Sequence, residues 1–298
     1  MSGASGRPPG GGTTAPVAPT APDLQVDRQS SPEATGPSVG LSARRELLLG
    51  ALGLVTILLV WQIASSTGAL SANAVPPPAT VLLTFAGLMI NTTFWSAVFA
   101  TMSVAILGIV VVILIAVPMS MAIHRSFAVR ESTWFIVEFL KPIPPVALIP
   151  LTILLWGPTK SVELFLVVFA ALWPMLTQLG YGLREISGTA LDVARVYRFT
   201  RAQRTVRIVV PSLTPFAMTG LRISVTMALV VAIVTEYIIG IPGLGAMLST
   251  SQAAGRLDRM YALIVVMGLL GLALNGLLSL ANRPLLFWHP SQRERAGS

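Results

Sequence analysis

The chain has no cysteine, and only two of its 298 residues are histidine. Disulfides, thiol nucleophiles and cysteine-bound metals are excluded, and a multi-histidine metal site lacks ligands. Charge is scarce: 11% of residues are Asp, Glu, Lys or Arg, against about 25% in soluble domains. No G-x4-G-K-[ST] motif occurs. Its nearest approach, Gly157, Pro158, Thr159, Lys160 and Ser161, has no glycine beside the lysine, so no phosphate-binding loop is expected. Nucleophile elbows and carboxylate pairs with catalytic context are missing too. The expectation is a chain that is not an enzyme, with no metal, no cofactor of its own and no nucleic-acid partner.

Apolar residues make up 54% of the chain. They concentrate at 47–65, 97–121, 137–156, 162–181, 216–239 and 260–280, each close to the ~20 residues that cross a bilayer as a helix. In lipid a helix satisfies its own backbone hydrogen bonds. The expected fold class is therefore all-α integral membrane, with about six transmembrane helices over residues 43–285. Residues 1–42, rich in Gly, Pro, Ser and Thr, cannot bury enough surface to offset ordering entropy and read as a disordered tail; residues 286–298 read as a second tail. One orientation places Arg44, Arg45, Arg125, Arg130, Arg184, the arginines of 192–211, Arg283, Arg293 and Arg295 on one side and only Lys160, Arg256 and Arg259 on the other. That asymmetry predicts both termini in the cytoplasm.

Between the fourth and fifth runs lies a polar, arginine-rich segment, residues 192–211. Thr189 precedes Asp192 by three, the spacing of a capping box, and Thr200 precedes Gln203 likewise. Two short helices are expected, the first with Leu191, Ala194 and Tyr197 on one face, the second ended or kinked by Pro211. Such a helix–turn–helix knob suits a groove on a soluble partner. Small Ala194 permits close approach, Asp192 caps or pairs locally, and Arg201, Arg204 and Arg207, three apart, form a basic face.

The spacing of this segment resembles the cytoplasmic coupling loop of ATP-binding-cassette importer permeases, E-A-A-x3-G-x9-I-x-L-P. The acid falls at Asp192, the alanine at Ala194, the isoleucine at Ile208 and the aliphatic–proline pair at Val210 and Pro211. Residues 143–157, Gly220 to Arg222, Glu236, Gly243 to Gly245 and Pro76 to Pro78 resemble the taurine, alkanesulfonate and nitrate branch, so the likeness covers about residues 45–285. It implies a type I importer permease whose loop, 187–212, couples to a separate ATPase subunit through Asp192, Val193, Ala194, Tyr197, Arg198, Arg201, Arg204, Ile208 and Pro211. It also implies an extracytoplasmic solute-binding protein, a second permease copy (identical or not), ATP consumed by the partner, a prokaryotic cell membrane and a small anionic cargo such as a sulfonate or nitrate. The sequence departs from the pattern at Arg198, where the family has its turn glycine. Either the turn is built differently, or Arg198 is strained, or it makes a partner contact.

Within the spans, Pro144, Pro145 and Pro150, together with Pro142, break the third run and are candidates for a pathway wall. Glu236 lies inside the fifth run. It either shapes the path or its outer gate, or sits solvated at headgroup level. The alternative function is an ion-coupled secondary transporter using Glu236.

Overall fold

The computed structural model describes residues 43–68 and 74–285; the tails expected at 1–42 and 286–298 lie outside them. The chain divides at residue 52, within the first helix, into 1–52 and 53–298. Among the described residues all regular structure is helical: α1 (Ala43–Ser66), α2 (Pro78–Met89), α3 (Thr92–Arg125), α4 (Phe127–Leu140), α5 (Ile149–Trp156), α6 (Lys160–Arg184), α7 (Gly188–Val196), α8 (Arg201–Arg204), α9 (Val210–Ile239), α10 (Leu244–Ala253) and α11 (Leu257–Leu285).

Among the described residues, five helical stretches are long and apolar enough to cross a membrane, and a bent pair makes up to six. They outrun their apolar cores because polar residues at the ends continue the helix. The Asn91 side chain accepts from the Thr93 amide at 2.9 Å and starts α3, while His124 and Arg125 occupy its last turn, where cations complement the dipole. The third run, expected at 137–156, is not one helix. α4 stops at Leu140, a 3₁₀ turn covers Pro145–Leu148, and α5 follows at 87° to α4. Pro142, Pro144 and Pro145 cause the break, since each lacks an amide hydrogen and clashes with the preceding turn. Pro150 sits in the first turn of α5, where neither defect matters. Gly157, at φ +67°, then reverses the chain into α6.

α6 is the central helix, packed on α9 and α3. Gly108 of α3 lies so close to Val167 of α6 that a Cβ there would overlap it. Leu166, Val167 and Ala171 from α6, Val112 and Ala116 from α3 and Ala228 and Ala232 from α9 form one apolar core. A second joins Val81 of α2, Phe94 and Val98 of α3, Leu244 of α10 and Leu263 of α11. Leu83, Leu154 and Leu272 point outward. Large apolar residues on the surface would be a liability in water, and are ordinary against lipid or another membrane subunit.

Candidate functional site

Two polar features sit at opposite ends of α6, which at 1.5 Å per residue is about 37 Å long.

After Arg184 comes the loop. α7 begins at Ser187, whose hydroxyl accepts from the Ala190 amide at 3.4 Å, and not at Thr189 as the spacing suggested. The cap therefore lies two residues earlier. Ala194 is buried, at 3% exposure, so the close approach it permits is to its own chain. Leu191 is half-buried beside it, whereas Tyr197 does not share that face and is exposed. The outward face carries Val193 and Val196, three apart, and Val196 is 79% exposed. Sequence reasoning missed Val196; the signal available was its i, i+3 spacing from Val193. Asp192 pairs locally, its Oδ1 lying 2.7 Å from Nη1 of Arg195.

α7 ends where the family glycine was displaced. The Phe199 amide donates to the Ala194 carbonyl at 2.9 Å and the Arg198 amide to that of Arg195 at 3.0 Å. This is the Schellman pattern, which requires a left-handed residue at the position of Arg198. Arg198 supplies it at φ +52°, the one non-glycine residue with positive φ among those described. The turn takes the left-handed form that suits a glycine, and the arginine carries the strain. Arg198→Gly is expected to stabilise the turn by about 1 kcal/mol. Hydrogen exchange of the amides of residues 190–199 should then slow about fivefold; unchanged exchange would show the turn unstrained.

The second short helix begins as expected. Thr200 Oγ1 accepts from the Gln203 amide at 3.2 Å, and the Gln203 side chain accepts from the Thr200 amide at 2.9 Å. Pro211, however, neither ends nor kinks it. A π-helical turn, Thr205–Val209, joins α8 to α9, with the Val210 amide donating to the carbonyl of Thr205. The wider turn accommodates the missing proline donor, so Arg201–Ile239 runs as one helical stretch. The guanidinium of Arg207 lies over the Phe199 ring at 5.5 Å, whereas Arg201 and Arg204 line a cleft beside the ends of α3 and α6. Ile208 and Pro211, both half-buried, hold this junction.

At the other end of α6, four helices converge on Glu236. Thr101 Oγ1 donates to its carboxylate at 2.9 Å and in turn accepts from the Leu244 amide at 2.9 Å. The Gly245 amide donates to Glu236 Oε2 at 2.9 Å. Lys160 Nζ lies 3.0 Å from Glu163 Oε2, 3.8 Å from Glu236 Oε1 and 2.9 Å from the Pro242 carbonyl. Thr101, Glu163 and Glu236 are wholly buried, which overturns the solvated reading of Glu236. One first-turn amide of α10, that of Gly245, thus points at a carboxylate, the sign a helix N-terminus favours. A Cβ at Gly243 would overlap that carboxylate, and one at Gly245 the Ile233 carbonyl. The glycines after the span and the acid within it are thus one unit. Lys160, expected as a loop cation, and Glu163, not singled out at all, complete it; their i, i+3 spacing at the start of α6 was the available sign.

Broken and continuous membrane-length helices, with a structured helix–turn–helix at one end, define a polytopic membrane protein. The family described as "Binding-protein-dependent transport system inner membrane component" matches residues 114–285, and the chain belongs to it. It is 29% identical over 230 residues to a probable ABC transporter permease protein of Brucella melitensis, covering 76% of this chain and 92% of the relative. Against a putative aliphatic sulfonates transport permease protein of Bacillus subtilis it is 25% identical over 237 residues, covering 79% and 85%. The fold matches a chain of the inward-facing MetNI methionine ABC transporter with a TM-score of 0.56 at 16% identity, over 64% of this chain and 94% of that one. The chain is accordingly a permease component of an ABC import system, a family that works with an ATPase and a substrate-binding protein. Nothing in these relationships supports the ion-coupled alternative.

Proposed function

We propose that this permease takes a small oxyanion, a sulfonate or nitrate, across a prokaryotic cell membrane with both termini in the cytoplasm, paired with a second permease copy around the path. ATP is consumed by a separate subunit, and no chemistry is done by this chain. Residues 192–211 transmit that subunit's closure: Val193, Val196 and Tyr197 enter its groove, Asp192, Ala194, Arg198, Ile208 and Pro211 hold the knob in shape, and Arg201 and Arg204 lie behind it. Closure favours the outward-open state only because nucleotide binds the two states unequally. Pro144 and Pro145 keep the α4–α5 break, and Pro150 in the first turn of α5 adjoins it, as part of the pathway wall. Glu236 acts at the outer end as a fixed strut, not a mobile carrier. The sulfonate-permease relative supports the cargo class.

The observation that carries the coupling is an apolar patch, Val193, Val196 and Tyr197, exposed on α7 and its C-cap beside the exposed Asp192–Arg195 ion pair. Exposed apolar groups rimmed by charge mark partner contacts. Because the chain has no native cysteine, Tyr197→Cys gives a unique handle. A short thiol–amine reagent is expected to link it to the ATPase subunit in membranes, while Leu83→Cys, on α2, gives no such product. Failure of Tyr197→Cys to link, with the ATPase present, would overturn the assignment.

A further inference from the structure

We infer that the cleft behind the loop is a binding site for the phosphate headgroup of an anionic phospholipid. A cavity of about 480 Å³ lies where the ends of α3 and α6 meet α7, α8 and the π turn. Arg125, Arg184, Arg201 and Arg204 line it, and no carboxylate does. The neighbouring arginines are already occupied, Arg195 by Asp192 and Arg207 by the Phe199 ring. Four guanidinium groups around one cleft repel one another, and an anion at their centre converts that repulsion into attraction. Guanidinium is also the group whose planar fork matches phosphate oxygens two at a time.

The remaining lining decides which anion. Leu183 and Val209 give the cleft an apolar floor, for which free phosphate has no use and a glycerol backbone with its first acyl carbons does. Basic pockets between helix ends at a membrane face are suited to acidic headgroups. The cleft also lies on the Leu191 side of α7, away from the exposed Val193 and Val196. An acidic segment of the ATPase docking on the patch would therefore not reach it without passing the loop. The site rests on the topology proposed above, which puts residues 192–211 at the cytoplasmic ends of the spans, and not on docking to an ATPase. In this role the lipid would hold the loop at a fixed height relative to the bilayer.

The test is native mass spectrometry of the full-length chain in detergent, titrated with dioleoyl phosphatidylglycerol or dioleoyl phosphatidylcholine. Phosphatidylglycerol should be retained about tenfold more strongly than phosphatidylcholine. The combined Arg125→Gln, Arg184→Gln, Arg201→Gln, Arg204→Gln variant should lose that preference. Lysine at the same four positions should keep most of it, which separates charge loss from misfolding. Inorganic phosphate at millimolar concentration should leave the lipid bound. Equal phosphatidylglycerol binding by the glutamine variant overturns the proposal, as does its displacement by phosphate, which would make the site one for free anions. Loss of ATPase co-purification by that variant with lipid binding intact also overturns it, and assigns the cleft to the ATPase. A wild-type chain that binds the lipid but captures no ATPase sinks the coupling reading and leaves this one standing.

Discussion

Val196→Asp is expected to leave the protein inserted and folded while ATP-driven uptake falls about a hundredfold or more. On the chain itself the side chain has little to lose, being 79% exposed, and such substitutions usually change stability by under about 0.5 kcal/mol. In the proposed interface the same carboxylate would be desolvated among apolar groups, and about 3 kcal/mol of unpaired burial corresponds to that loss. The contrast with Ala194→Asp is diagnostic. Ala194 is 3% exposed, so its aspartate breaks the loop before any partner arrives. Hydrogen exchange of residues 190–199 separates the two variants: protection is retained in Val196→Asp and lost in Ala194→Asp. Normal uptake by a correctly inserted Val196→Asp would remove Val193 and Val196 from the interface.

Glu236→Ala is expected to destabilise the fold by about 3–5 kcal/mol, the usual result of deleting one member of a buried charged network. The substitution orphans the Gly245 amide, leaves the Thr101 hydroxyl only the Ala97 carbonyl to donate to, leaves Lys160 with Glu163 and the Pro242 carbonyl, and opens space beneath Gly243. Glu236→Gln keeps the shape and an acceptor, and should lose less than half as much. Thermal unfolding in detergent and the yield of monodisperse protein report both. The strut account fails if Glu236→Ala is as stable as the wild type and its uptake loses instead a dependence on protons or sodium. That result would restore an ion-carrying role for Glu236.

The membrane spans were legible because length and apolarity alone specify them, while their ends were not. Asn91 as a cap and His124 with Arg125 in a last turn extend α3 past its apolar run on both sides, and hydropathy does not see capping. The proline-rich break was legible in position at Pro142 to Pro145, though not in its 87° bend, and Pro150, read as part of it, instead starts α5. In the loop the Thr200–Gln203 box was read correctly because both of its halves are local. Ser187 displaced Thr189, and the π turn displaced the expected kink at Pro211. In each case two local solutions compete and the surrounding packing chooses. Arg198 shows the reverse: the motif demanded a left-handed residue, and the backbone supplied one despite the side chain. The Glu236 network was beyond local reading, since Thr101 lies 135 residues from its partner.

The most direct measurement is uptake by proteoliposomes containing the tagged chain with whatever partners co-purify from native membranes in gentle detergent. The account predicts a stoichiometric ATPase subunit in the preparation and solute uptake that requires ATP, with both lost together in Val196→Asp. Transport by the chain without an ATPase and indifferent to ATP would contradict it.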